Sequence, residues 1–188
     1  MVKEEYFTAF KVEKHGFHFH NSFSVDNIVN EITGVDFDLL IDWNYGLCGG
    51  MCWAALDRYY GKEMIPERTT TPQEGNLFRE LVRRQIDFLK KGWTISKTLL
   101  YQSLPTHGDN IPDEGSLGYK TQINEWPKIK EKLKDGIPVT MVLIRVLNPF
   151  LLAKNHSVVA IGYHYDTETK QVKIYAYDPN HPEEREKK

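Results

Sequence analysis

The last third of the chain restricts the fold more than any other stretch. "INEWPKIKEKLKDG" carries Trp126, Ile129 and Leu133 at helical spacing and stops at Gly136. "IPVTMVLIRV" reads as a buried strand. "HSVVAIGYHY" and "QVKIYAYD" read as two more, joined by the polar turn "DTETK". A helix followed by a run of strands is the order of an α+β domain. If the turn sets Asp166 opposite Lys170, then Val158 faces Asp178 and His156 faces Asn180. Asp178 and Asn180 would then lie on the His156 side of the sheet.

The helices come earlier. Met51, Ala55, Leu56 and Tyr59 recur at helical spacing from about Gly49 to Tyr60, and Gly61 reads as the residue that closes the helix. Residues 77–91 put Leu77, Leu81, Val82, Gln85, Ile86 and Leu89 on one stripe, with Gly92 as the stop. Arg83, Arg84, Lys90 and Lys91 fall on the other face, which reads as solvated. Residues 4–12 and "GFHFH" (16–20) read as short strands or extended arms, and residues 21–46 have no clean period. Residues 105–120, "PTHGDNIPDEGSLGYK", form a long polar loop. We therefore expect one domain over 1–188: an N-terminal arm and strands (1–44), a helical part (45–135), a β-meander (136–180) and a charged tail (181–188).

At 188 residues and 40% hydrophobic, the chain can build one real core. Its net charge of −2 gives no general pull toward nucleic acid or acidic membranes. The longest apolar runs are strand-sized, far below the roughly 20 residues that span a bilayer, and "MVKEEYFTAFKVEKHG" has no leader-like apolar run. Two cysteines are too few for a disulfide framework, so a reducing, cytoplasmic setting is expected. Composition leaves the oligomeric state open.

Both cysteines lie in "YGLCGGMCWAALDRYY" (45–60), four residues apart, at the start of the expected helix. Three readings compete. A Cys48–Cys52 disulfide would be strained, because both Cβ atoms point along one helical face. A zinc site would combine a cysteine with His15, His18 and His20, but the spacing is not that of a finger. The third reading is a nucleophile. A helix N-terminus favours an anion and lowers a thiol pKa, and Cys48 sits there. On this reading Gly49 and Gly50, which cost roughly 1 kcal/mol each inside a helix, clear the approach of a substrate carbonyl and free backbone N–H groups for an oxyanion. His156 is the best-placed base, and Asp178 or Asn180 could orient it. Neither a metal nor another cofactor is expected.

This arrangement resembles the papain-like cysteine peptidase fold, and especially its bacterial C39-like branch. The likeness rests on "LCGGMCWAALDRYYG", on "EWPKIKEKLKDGIPVTMVLI" and on "NHSVVAIGYHYD…VKIYAYDPN", covering residues 45–60 and 125–180. It implies a central helix that begins with the cysteine and packs on a C-terminal antiparallel β-sheet bearing His and then Asp. It also implies a cysteine hydrolase, peptidase or amidase, acting on a peptide or a small amide or ester through Cys48, His156 and Asp178. The alternatives on the same fold are an acyltransferase and a catalytically inactive binding module whose groove "FHFHNSF" could line.

The papain branch's "C-W-A" context would choose Cys52, followed by Trp53 and Ala54. The C39-like Cys-Gly context chooses Cys48, which also lies nearer the helix start. Both branches usually carry a Gln six residues before the nucleophile. Here that place holds Asp42 counting from Cys48 and Gly46 counting from Cys52. Asn44 is the nearest substitute amide, with the Cys48 and Gly49 backbone in support.

Overall fold

The computed structural model describes residues 3–32, 46–91, 93–106 and 114–182. Strand β1 (Lys3–Phe7) leads into a single helical turn, α1 (Val12–His15). Then come α2 (Val25–Ile32), α3 (Cys48–Gly61), α4 (Gly75–Lys90) and α5 (Trp93–Gln102). Helix α6 (Leu117–Lys120) runs through a wide helical turn, Thr121–Glu125, into α7 (Trp126–Lys134). Strand β2 (Val139–Leu143), a helical turn (Pro149–Lys154), β3 (His156–Asp166) and β4 (Val172–Tyr177) complete the order.

The protein is α+β with an antiparallel sheet, an architecture compatible with a papain-like fold. Strand β3 is its spine. On one edge β2 pairs with residues 156–160 and β1 with residues 162–166, while β4 pairs along the other edge. The last part of the chain therefore does not make the sheet alone, because the N-terminal arm contributes β1.

The meander differs from expectation in two compensating ways. At the turn, Tyr165 pairs with Val172 and the Asp166 N–H donates to the Gln171 carbonyl, one residue beyond the expected partner. A bulge at Ile161 then restores the expected register, with Val159 opposite Tyr177. The extra residue also exchanges the faces. Val159 and Ile161 pack toward α3, whereas Ala160, Tyr163 and Tyr165 pack toward α7. Strand β2 is not buried as expected: it lies at an edge, and Leu143 is largely exposed.

The sheet thus carries a core on each face. On one side Met51, Ala54 and Ala55 of α3 meet Val159 and Tyr177, together with Phe17 and Phe19. On the other, Leu133 of α7 is buried with Ala160 and Tyr163 while Trp126 and Ile129 flank it, as the helical spacing requires. "GFHFH" is not a strand. Its alternation survives as packing, because Phe17 and Phe19 are fully buried and so do not line a groove.

Helix α4 is rolled relative to the expected stripe. Phe78 and Phe88 are buried with Leu81, Val82, Gln85 and Ile86, leaving Leu77 and Leu89 partly covered. Its polar face is not simply solvated either. Arg84 donates to Asp57 of α3 at 2.6 Å and to Asp87 at 3.1 Å, while Arg58 of α3 grips Glu80. Helix α3 ends on Gly61, and the left-handed capping position falls to Lys62 at φ 56°. Helices α2 and α5 were not anticipated. The expected stop at Gly92 lies outside the described residues, as does the middle of the polar loop. Among the described residues no helix is long and apolar enough to cross a membrane.

Candidate active site

Helix α3 starts at Cys48, with buried Leu47 as its N-cap. The first N–H groups of a helix have no partner within it, and two positions here borrow one from elsewhere. The Leu47 N–H donates to Asn21 Oδ1 at 2.7 Å, and the Gly50 N–H donates to Gln85 Oε1 at 2.7 Å. Cys48 is partly exposed, whereas Cys52, one turn on, is 0% exposed.

The glycines have a different reason from the one expected. A Cβ on Gly49 would stand 2.4 Å from Phe88 Cδ1, and one on Gly50 2.3 Å from the Leu81 carbonyl oxygen. Gly49 makes room for the Phe88 ring and Gly50 lets α3 approach the α4 backbone, so neither need open a path for a substrate. The Gly50 N–H is moreover committed to Gln85.

Strand β3 opens on His156, which is 6% exposed and hydrogen-bonded to the Cys48 thiol. Its Nε2 donates to Asp178 Oδ1 at 2.6 Å, leaving Nδ1 for the sulfur. The next residue contributes through its backbone: the Ser157 N–H donates to Cys48 Sγ at 3.4 Å. Asp178, just beyond β4, also accepts the Asn180 N–H at 2.8 Å. The structure thus brings Cys48, His156 and Asp178 together.

Each group's protonation follows from its neighbours. Burial pushes the Cys48 thiol up, but the hydrogen bond and charge of His156 and the Ser157 N–H outweigh it and hold the thiol below its ordinary value. Burial pulls His156 down, and the hydrogen bonds to Asp178 and Cys48 with their charges overcome it, so that His156 is raised to about 9. Burial lifts Asp178, yet His156 and the Asn180 N–H keep it below the usual carboxylate value. The shifts of the two groups both run toward a thiolate beside an imidazolium. Cys52 has no such help: burial, with the nearby charges of Cys48 and Asp178, drives its thiol well up.

Two sequence expectations are corrected. Asn180 is not the imidazole's partner: its N–H supports Asp178, and its side-chain oxygen accepts from Asn21 Nδ2 at 3.0 Å. Cys52 is a core residue, closed to any substrate. Asn44 lies outside the described residues. The three histidines of the zinc reading are spent separately. His15 Nδ1 accepts from the Lys11 N–H, while His18 and His20 bond the Glu13 and Asn180 carbonyls. Among the described residues no cluster of three or more potential ligands forms. Asn21, Gln85 and the Ser157 N–H went unnoticed because each acts through partners remote in sequence.

A cysteine at a helix start thus lies beside a histidine that has a carboxylate on its far nitrogen, on an α+β sheet. The family model described as the Peptidase_C39 like family matches residues 36–188, and the chain belongs to that family, which suggests a cysteine peptidase-like function. No curated protein and no solved structure matches it.

Proposed function

We propose that the protein is a cysteine hydrolase that cleaves an amide or ester through an acyl-enzyme on Cys48. The observation that carries this reading is the hydrogen-bonded order Cys48–His156–Asp178, with the 2.6 Å contact at the ring's far nitrogen. The thiolate attacks the carbonyl carbon and a C–S bond forms. Backbone N–H groups at the start of α3, those of Cys48 and Gly49, face the developing oxyanion. The C–N or C–O bond breaks as His156 passes its proton to the leaving amine or alcohol. Water then attacks the thioester, His156 takes up its proton, and a carboxylic acid leaves. Asp178 holds the ring and stabilises its cationic form. Transfer of the acyl group to an amine instead of water would use the same steps.

The cavity beside Cys48 supports a choice of substrate class. It measures about 60 Å3 and is walled by Phe88, Leu89, Ile95, Val142 and Leu152. Among the described residues no charged side chain lines it. It suits a peptide or small amide with an uncharged apolar group near the scissile carbonyl. Asp42 at the place of the usual amide favours a second reading, a binding module without turnover.

Iodoacetamide at about pH 6 tests the nucleophile. The adduct is expected on Cys48 alone, retained in Cys52→Ala and absent in Cys48→Ala, as peptide mass mapping will read. Equal labelling of the two variants removes the assignment. A p-nitrophenyl ester separates the two readings: a hydrolase gives a burst and then turnover, and a binding module gives neither.

The pH dependence has a definite sign. Thiolate is present above the depressed Cys48 value, and the imidazolium persists until about 9. Amide cleavage needs both, so its rate should fall as pH rises through about 9. Alkylation needs only the thiolate and should not fall there. Parallel decline of the two rates would contradict the assignment of His156 as proton donor.

A further inference from the structure

We propose that Asn21, on the N-terminal arm, is a positioning residue that keeps the Cys48 sulfur in register with the His156–Asp178 pair, an inference that rests on the reading of the site given above. Asn21 touches both parts that must meet. Its Oδ1 accepts the N–H of Leu47, the residue before the cysteine, at 2.7 Å. Its Nδ2 donates to Asn180 Oδ1 at 3.0 Å, and its own N–H donates to the Pro179 carbonyl at 3.0 Å. Asn180 in turn donates its N–H to Asp178 Oδ1. The bonds therefore close a circuit: from Cys48 to Leu47, across Asn21 to Asn180, on to Asp178 and His156, and back to the sulfur.

The chemistry of the link requires an amide. A backbone N–H can face only an oxygen, so the Leu47 contact fixes which end of the Asn21 side chain is Oδ1. The other end is then a donor, which Asn180 Oδ1 accepts. Aspartate would lose the donor, and an apolar side chain would lose both contacts. The local backbone is shaped to admit this side chain. Gly46 has φ +87°, and a Cβ there would stand 2.5 Å from Asn21 Oδ1. The neighbouring residue adds a second tie, because His20 Nδ1 bonds the Asn180 carbonyl at 3.1 Å.

Asn21 lies outside the family match, which begins at residue 36. The circuit is thus closed by a segment that the family likeness does not cover. Without Asn21, the start of α3 and the loop after β4 lose their shared hydrogen-bonding partner. The sulfur and the imidazole can then drift apart, and small misplacements of reacting groups have large kinetic effects.

The experiment measures iodoacetamide alkylation of Cys48 against pH in the full chain, for the native sequence, Asn21→Ala, Asn180→Ala and the double variant. Cys52 is buried in the core and serves as an internal reporter of intact packing. In Asn21→Ala the alkylation limb should move up by about one pH unit, so that the rate near pH 6 falls about tenfold, with Cys52 still protected. Asn180→Ala should move it the same way, and the double variant no further than Asn21→Ala, since both act through one link. An unmoved limb in Asn21→Ala overturns the proposal. So does labelling of Cys52 at the Cys48 rate, which would make Asn21 a residue of the fold at large. A native limb already at the ordinary thiol value overturns the underlying reading of the site, and that result is visible before any variant is made.

Discussion

Replacing His156 by alanine should slow acylation of Cys48 by a p-nitrophenyl ester by about 10²–10⁴-fold, the range expected for loss of a positioned acid–base group. The imidazole supplies both the hydrogen bond and the charge that hold the thiol down. Once it is gone, burial acts with only Ser157, through its N–H and its side chain, against it, and the thiol rises. Alkylation near pH 6 should therefore collapse together with acylation. Asp178→Ala should have a smaller effect in the same direction, because it removes the contact that orients the ring and lifts it to about 9 but leaves the base in place. Stopped-flow release of nitrophenolate measures the first step, and mass mapping measures the second. An alanine variant that alkylates as fast as the native protein would show that the thiol is not armed by its histidine.

The second large effect is on stability. Gly50→Ala should lower the stability of the fold by about 3 kcal/mol, at the top of the range for overpacking a core. For a chain of this length that corresponds to a fall in Tm of roughly 6–12 °C. The added methyl would stand 2.3 Å from the Leu81 carbonyl oxygen and 2.9 Å from the Gln85 nitrogen, both backbone atoms that cannot swing aside. Helices α3 and α4 would have to separate, stretching the Gly50–Gln85 bond and the Arg84–Asp57 ion pair. Gly61→Ala is the control with the opposite sign. Its nearest neighbour is a flexible Glu63 atom at 3.6 Å, and a helical Gly→Ala change stabilises by up to about 1 kcal/mol. Thermal melts of the two variants that shift alike would refute the close-packing explanation.

The amphipathic segments were legible in the sequence because their periodicity is local. The helix bearing Cys48, the stripe of α4, Leu133 on α7 and the β3–β4 hairpin can all be read from spacing alone. Cys48, His156 and Asp178 were candidates because a thiol at a helix start and a His-led strand followed by an acid each leave a local mark, and the fold sets them near one another. What stayed hidden depends on distant partners. The glycines at 49 and 50 look the same whether they admit a substrate or a neighbouring helix, and only the position of Phe88 and Leu81 decides between them. Asn21 in "HNSF" gives no sign that it will cap a helix 26 residues on. The Ile161 bulge corrects a turn displaced by one residue, and neither departure is visible in the alternation of a strand so rich in Val, Ile and Tyr.

The pairing of β1 with β3 sets an order in time. Strand β1 finds its hydrogen-bonding partner only in residues 162–166, more than a hundred and fifty residues further along the chain. Such long-range pairing is slow to form, and it leaves β1 without its ladder until β3 has been made. Cys48 precedes His156, whose hydrogen bond and charge lower its thiol, by more than a hundred residues. A chain made only as far as α7 therefore lacks the histidine that holds the Cys48 thiol below its ordinary value.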